Sequence, residues 1–522
     1  MSFDFGGSPL DRRAFLKLGG AAAASAAATA SGLFGKSPFA SFGSQDASPS
    51  ARPNILFISC DDLRPEFGFQ GNSVIQTPNI DRLASRSTTF GRVYSQMSMC
   101  NPCRTSLLTG LRPDTTRIYD QDTHFRSVLP NAVTLPQAFK NAGYETVAVG
   151  KLFHNTLPDP ASWSRPEAEI PLNFPYLNPE TRTRLEKRRE KARSMGRSDG
   201  FISAFLRGPA TEAYDAPDNL YEDGAIADVA IGLLRELRGK QPFFLGVGFI
   251  SPHLPFVSPK KYWDLYDRDK IPPAPNYYPP KGAPRFSLNK LTELRCHEDF
   301  ILAPDPTEGL LPEPQARLLK HGYYASVSFV DAQVGRVLEV LAALGLRDNT
   351  IVVLLGDSGW KLGEHSGWGK LTNYEIDTRA TLIISAPNLA PAAKIENRIV
   401  ELVDLHPSMC ELAGIAPPAN LDGISFAPLF RDAERPWKTA AFSQFPRGFT
   451  NRIMGRAMRT ERYRYVEWID WYDETLIATE IYDQKTDPQE NVNIAGDPGN
   501  AGLVRTLAAQ MKAGPKAALP SK

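Results

Sequence analysis

Cysteine is scarce in this 522-residue chain, which has only Cys60, Cys100, Cys103, Cys296 and Cys410. So few thiols, in an odd number, exclude a disulfide-dense scaffold and leave at least one free for chemistry. Charge of one sign is also missing. Lysine and arginine total 59 against 58 aspartate and glutamate, so no whole-protein field draws the chain to nucleic acid or to an anionic membrane. There is no internal repeat, and the uncharged stretch at 18–34 is too short and too Ala-rich to span a bilayer stably. No transmembrane anchor is therefore expected in the mature chain. What is present is the composition of an ordinary globular enzyme, 42% hydrophobic and 22% charged, with length enough to bury a large core. That length suits about three ordinary domains, or one large α/β domain with a smaller appendage. The 44 prolines imply many loops.

The N-terminus reads as a targeting segment. Asp11-Arg12-Arg13-Ala14-Phe15-Leu16-Lys17 precedes the Ala- and Gly-dominated stretch, and paired arginines before a weakly apolar run resemble a twin-arginine export signal. A disordered Ala-rich leader is the alternative. The expected organisation is a signal peptide over 1–40, a linker over 41–51, a catalytic domain over 52–435 and a C-terminal subdomain over 436–522. The twin-arginine translocation machinery then exports the folded protein to the periplasm or the exterior. With no Cys near the end of the signal, a lipoprotein anchor is not expected.

From Pro53 onward, short apolar runs alternate with helical patterns. Runs at 54–59, 146–149, 243–250 and 351–355 read as buried parallel strands. The clearest helix covers 326–346, with Val327, Val330, Val334, Leu338 and Leu341 on one face. Such alternation argues for a mostly parallel sheet. Polar residues gather just past the strand ends, where sites form in open α/β sheets: Asp61, Asp62, Lys151, His253 and Asp357. Segment 158–218 is rich in proline and charge and reads as an insertion holding a solvated helix, or alternatively a basic rim for a polyanionic substrate. Segment 272–306 reads as a long loop. Beyond Pro436 the texture changes, and Arg462-Tyr463-Arg464-Tyr465-Val466 alternates like a strand with one wet face. A small antiparallel sheet is expected there.

The informative stretch is Cys100-Asn101-Pro102-Cys103-Arg104-Thr105-Ser106-Leu107-Leu108-Thr109-Gly110. It resembles the type I sulfatase signature, in which the first Cys is oxidised to formylglycine and hydrates to a gem-diol nucleophile. Further motifs resemble the iduronate-2-sulfatase-like branch of that family, in order from about residue 52 to 500. They include Asp61-Asp62-Leu63-Arg64-Pro65, Arg112-Pro113-Asp114-Thr115-Thr116-Arg117, Gly150-Lys151-Leu152-Phe153-His154, Pro252-His253-Leu254-Pro255-Phe256, Gly363-Glu364-His365 and Leu421-Asp422-Gly423. The resemblance implies an alkaline-phosphatase-like α/β sandwich with a large, mostly parallel central sheet flanked by helices.

The chemistry also follows from residue types. Cleaving a sulfate ester needs a nucleophile, cations for the sulfate and an acid for the leaving alkoxide. Asp61, Asp62 and Asp357 suit a hard divalent ion, although carboxylates after strands also cap helices. The family uses Ca²⁺, some members Mg²⁺, and the modified Cys100 side chain is a further ligand. By motif position, Arg104 and Lys151 resemble residues that hold the diol, His154 the group that removes its second proton, and Lys370 with His253 the pair that contacts sulfate and protonates the alcohol. A formylglycine-generating or sulfatase-maturating enzyme is an implied partner, and sulfated carbohydrate the implied substrate.

Three departures stand out. Ser358 follows Asp357 where the family usually has His or Asn, so either the hydroxyl reaches the ion, a water fills the gap or affinity is lower, with His365 as a substitute ligand. Cys103 stands where Ser is usual, and without a Pro two residues on it cannot start the maturation motif. Ser251 precedes Pro252-His253 where relatives commonly carry a basic residue, which weakens transfer of iduronate specificity. Gly91 to Tyr94, Trp360 and Trp368 are expected to pack around the site, with sugar stacking by Trp360 as the alternative. Two other functions are compatible with these residues: a phosphonate or phosphate ester hydrolase of the same superfamily, and a catalytically impaired sulfated-glycan-binding protein.

Overall fold

Seven strands form the central sheet. They are β1 (Asn54–Cys60), β2 (Thr88–Phe90), β3 (Glu145–Gly150), β4 (Phe243–Phe249), β5 (Thr350–Gly356), β6 (Leu382–Ser385) and β7 (Lys394–Glu396), in the order β7-β2-β6-β5-β1-β4-β3. β1 pairs in parallel with β4 and β5, β3 with β4, and β7 with β2. Only β6 runs against its neighbours. This computed structural model describes residues 52–520, apart from 155–156, 172–174, 199, 203–205, 388–393, 433 and 448–451. The expected signal peptide and linker at 1–51 lie outside the described residues.

All four expected core strands are present, and β1, β4 and β5 are buried along their whole length. Their residues do not alternate in polarity because apolar layers cover both sheet faces. On one face, Leu56 and Ile58 join Ile226 and Leu234 of a helix at Glu222–Leu237 and Val327, Val330 and Val334 of a helix at Glu313–Ala343. On the other, Ile55 and Phe57 pack with Leu107, Leu108 and Met409. The 313–343 helix starts well before the apolar stripe predicts. Its early buried positions hold Lys320, His321, Tyr323 and Tyr324, whose polar groups dilute the apolar period.

Within 158–218, a helix at Pro179–Ser194 buries Thr181, Leu185 and Ala192 and leaves most of its charges in solvent. Asn178 caps it by accepting from the Glu180 N–H. In 272–306 the described structure is loop with two single 3₁₀ turns, Arg285–Ser287 and Leu294–Cys296. The C-terminal sheet comprises β8 (Ala440–Arg447), β9 (Ile453–Thr460), β10 (Tyr463–Asp470) and β11 (Leu476–Asp483), antiparallel in chain order.

The expected wet face of β10 is a correction. Arg464 is 1% exposed and pairs with Glu375 and Glu490. A helix at Ala501–Ala517 covers one side of the sheet through Leu507 and Met511. The other side meets the Glu375 and Phe286 segments, so the charges there are neutralised by ion pairs instead of water. No described helix is long and apolar enough to cross a membrane.

Candidate active site

The polar residues beyond the strand ends converge on one point. Asp61 and Asp62 follow β1, Lys151 follows β3, His253 lies past β4, and Asp357 and Ser358 follow β5. Asp62 sits in the left-handed region at φ +61°, a conformation that aspartate tolerates better than most residues. Tyr323 holds this turn by donating to Asp62 O (2.8 Å) and accepting from the Arg64 N–H (3.0 Å). The turn into Lys151 requires glycine: Gly150 has φ +78°, and a Cβ there would lie 2.1 Å from Gly248 O. Asp223 fixes the approach to His253 by accepting from the Ile250 N–H (2.7 Å) and the Ser251 N–H (2.9 Å).

Cys100 opens the buried helix Cys100–Thr109 and points into this cluster. Its thiol donates to Asp61 Oδ1 at 3.6 Å, and Lys370 Nζ donates to Cys100 Sγ at 2.8 Å. Lys370 Nζ also contacts Asp62 Oδ1 closely. Arg104, one turn along the helix, binds Asp61 Oδ1 (2.8 Å) through Nη2 and Asp357 Oδ2 (3.0 Å) through Nε. Its Nη1 donates to Lys151 O (2.6 Å) and Leu152 O (3.1 Å). Lys151 Nζ pairs closely with Asp61 Oδ2. Ser358 Oγ donates to Asp62 Oδ1 at 3.2 Å. Ligand atoms of Asp61, Asp62, Cys100 and Asp357 all lie within 4.8 Å of one another.

Burial and neighbouring charge set distinct protonation states. Burial works to raise Asp61, yet Lys151 and Arg104 override it and hold the carboxyl well below the usual range. For Asp62 burial wins, and the carboxyl rises to about 7 against Lys370 and His253. Burial would lower His253, but Asp62 and Asp61 drive it well above its ordinary value. His154 goes the other way, down to about 4, through burial and then Lys151.

Several placements differ from simple expectation. His253 Nε2 lies 3.5 Å from Glu293 Oε1 and 3.8 Å from Asp62 Oδ2. Glu293 comes from the 272–306 loop, where no periodicity or motif singles it out. His365 is turned away from the carboxylates, with Nε2 at 2.8 Å from Gln489 O. Cys103 Sγ donates to Asp357 O. Trp360 is 1% exposed, packed against His253, Phe256 and the Lys370 ammonium, so burial and not an open stacking face is its environment. Tyr94 is buried and donates to Glu375.

A Sulfatase family model matches residues 53–415, and an N-sulphoglucosamine sulphohydrolase C-terminal model matches residues 363–516. Iduronate 2-sulfatase of Mus musculus is 33% identical, with 87% of this chain and 93% of that protein covered. The chain belongs to the sulfatase family. It is a sulfuric ester hydrolase. A solved structure of a protein with its substrate D-glucosamine-2-N,6-O-disulfate superposes with a TM-score of 0.70 at 22% identity, over 89% of this chain and 98% of that one. A phosphonate monoester hydrolase of Agrobacterium radiobacter gives 0.66 at 23%, over 88% and 95%. These neighbours share the alkaline-phosphatase-like fold.

In this sulfatase the carboxylate cluster fits a hard divalent cation. Asp62 Oδ2 is buried with no hydrogen-bond partner, and the Asp62 carboxyl is raised by its surroundings. The first leaves a buried acceptor oxygen free for a ligand, and the second comes chiefly from burial. Oxygen donors from Asp61, Asp62, Asp357 and Ser358, with the residue 100 side chain, form the kind of set that Ca²⁺ or Mg²⁺ accepts.

Proposed function

We propose that this enzyme removes sulfate from sulfated carbohydrate, with formylglycine made from Cys100 and with Ca²⁺ or Mg²⁺ held by Asp61, Asp62, residue 100, Asp357 and Ser358. The observation that carries the reading is the position of Cys100 Sγ, at a buried helix start between Asp61 (3.6 Å) and Lys370 (2.8 Å). The identity to iduronate 2-sulfatase over most of both chains supports a sulfated sugar as substrate. Cys100 is then a substrate for a formylglycine-generating or sulfatase-maturating enzyme. Arg12-Arg13 and the stretch after it support twin-arginine export to the periplasm or exterior.

When present, the cation polarises the sulfate, and the hydrated aldehyde supplies the attacking oxygen. The remaining work falls to side chains already in place. Lys370 brings a buried positive charge beside residue 100 and stabilises negative charge growing on the sulfate oxygens. His253 donates through Nδ1 to Leu254 O (2.5 Å), which leaves Nε2 to carry a proton to the departing alcohol. His154, held down to about 4, is neutral near pH 7 and can accept a proton. Arg104 and Lys151 hold Asp61 ionised and oriented.

Peptide mass spectrometry of residue 100, combined with sulfate release across sulfated mono- and oligosaccharides, tests this reading. Loss of sulfur with gain of an aldehyde is expected in active protein, and an unmodified thiol in active enzyme overturns the nucleophile. Faster turnover of phosphonate monoesters than of every sulfated sugar would favour the phosphonate hydrolase reading.

A further inference from the structure

The rim beside His253 carries a cation that has no hydrogen-bond or ion-pair partner among the described residues. Arg207 forms a backbone bridge with His297. Next to it, the Glu298 N–H donates to Gly208 O at 3.2 Å, and His297 Nδ1 lies 3.1 Å from the same oxygen. The turn stitched to Arg207 in this way is the one carrying Glu293, whose carboxylate faces His253 Nε2 at 3.5 Å. Arg207 thus projects from backbone fixed beside the segment that touches the imidazole.

Its guanidinium is half-buried and makes no hydrogen bond or ion pair among the described residues. The nearby carboxylates are engaged elsewhere. Glu298 is shared by Arg184 and Arg188, and Asp299 Oδ1 accepts from the Ala210 N–H at 2.9 Å. Burial works to raise Glu293, but Lys370, His253 and, after them, Arg207 hold it down to about 2, which puts the Arg207 charge within electrostatic reach of the site. An arginine partly withdrawn from water with no direct hydrogen-bond or ion-pair partner has lost hydration without full compensation. Its planar fork suits a carboxylate or a sulfate.

We propose that Arg207 determines specificity by binding a second anionic group of the substrate, a carboxylate or a further sulfate, outside the group being cleaved. The scissile sulfate belongs with Lys370 and residue 100, and Glu293 feels both the Lys370 charge and the Arg207 charge. The substrate class is therefore a sugar carrying at least two anionic groups, an inference that rests on the sulfated-carbohydrate reading above.

The test compares wild type, Arg207→Ala and Arg207→Lys as mature, formylglycine-containing enzyme, with aldehyde content matched by mass spectrometry. Three probes are used: iduronate-2-sulfate, whose second anion is a carboxylate; glucosamine-2-N,6-O-disulfate, whose second anion is a sulfate; and 4-nitrophenyl sulfate, which has none. Arg207→Ala should raise KM and lower kcat/KM about 10- to 100-fold on whichever sugar the wild type cleaves. It should leave 4-nitrophenyl sulfate within about twofold, and Arg207→Lys should fall between. The loss on one sugar and not the other tells carboxylate from sulfate. Equal losses on all probes, or no loss on the sugars, overturn the role of Arg207 alone. Wild-type cleavage of the aryl ester but of neither sugar would instead bring down the carbohydrate reading, and this proposal with it.

Discussion

Ser358 Oγ donates to Asp62 Oδ1 at 3.2 Å, deep inside the carboxylate cluster. The hydroxyl is thus close enough to the carboxylates to complete an oxygen ligand set. Ser358→Ala should weaken Ca²⁺ binding by about tenfold, the effect of losing one modest oxygen donor. Ser358→Asn, which restores an amide oxygen, should match or exceed wild type. Calorimetric titration of Ca²⁺ into chelator-stripped protein reads both. An alanine variant with unchanged affinity would place Ser358 outside the ligand set.

The two cysteines of the signature should behave in opposite ways. Cys100→Ala removes the group destined for oxidation and should lower turnover by about 10³-fold or more. Cys103 is buried and donates to Asp357 O, a contact that a serine hydroxyl reproduces. Cys103→Ser should therefore keep sulfate release within about threefold of wild type. Loss of activity in Cys103→Ser, with Cys100 still converted, would give the second thiol a role in the site.

Legibility in the sequence followed the covalent logic of the fold. A strand buried on both faces must be apolar throughout, so β1, β4 and β5 announce themselves. The first polar residues after them, Asp61, Asp62 and Asp357, then fall at the rim where an open sheet places its ligands. Cys100, Arg104, Lys370 and His253 are singled out by motifs, and the fold brings them together around Asp61 and Asp62. Glu293 was not, because it reaches His253 from an aperiodic loop whose path is set by tertiary contacts. Arg464 misled for a different reason: alternation reports polarity, and a buried ion pair with Glu375 and Glu490 has the polarity of a wet face. Tyr323 sits in a core helix, yet its hydroxyl clamps the Asp62 turn, a function that no side-chain pattern encodes.

Behind the site, Glu364 gives stability a defined dependence on pH. Arg64 Nη2 donates to Glu364 Oε1 (2.9 Å), and the Leu362 N–H donates to Glu364 Oε2 (2.6 Å). Burial works to raise this carboxyl, but Arg64 overrides it and holds it down to about 2. A depressed carboxyl stabilises the folded state fully above its unfolded value of about 4.3 and loses that contribution as pH falls through 2. Glu364→Gln should lower unfolding free energy by about 3 kcal/mol at pH 7. The difference from wild type should shrink to about half near pH 3. Urea titrations of both proteins at pH 7, 4 and 3 measure it, and a gap that widens on acidification would refute the assignment.

Lys370 depends on the C-terminal sheet for its position. The following residue, Leu371, has φ +75°, a conformation that costs a leucine about 1 kcal/mol or more and persists only when its surroundings enforce it. Arg447 at the end of β8 supplies that enforcement: Nη2 donates closely to Leu371 O, and Nε donates to Phe286 O at 2.9 Å. The guanidinium also stacks 4.5 Å above the Phe445 ring. From the other side, Asn289 Nδ2 donates to Lys370 O at 3.0 Å. Arg447→Ala removes the clamp without touching substrate, so kcat should fall about 10- to 100-fold, because displacing a charge by about 1 Å costs catalysis on that scale, while KM changes little. Arg447→Lys, which keeps one donor, should recover part of the loss. Steady-state kinetics on an aryl sulfate with aldehyde content held equal separates this positioning role from a folding defect: a variant with less active protein but unchanged kcat per aldehyde would show that Arg447 supports the sheet and not Lys370.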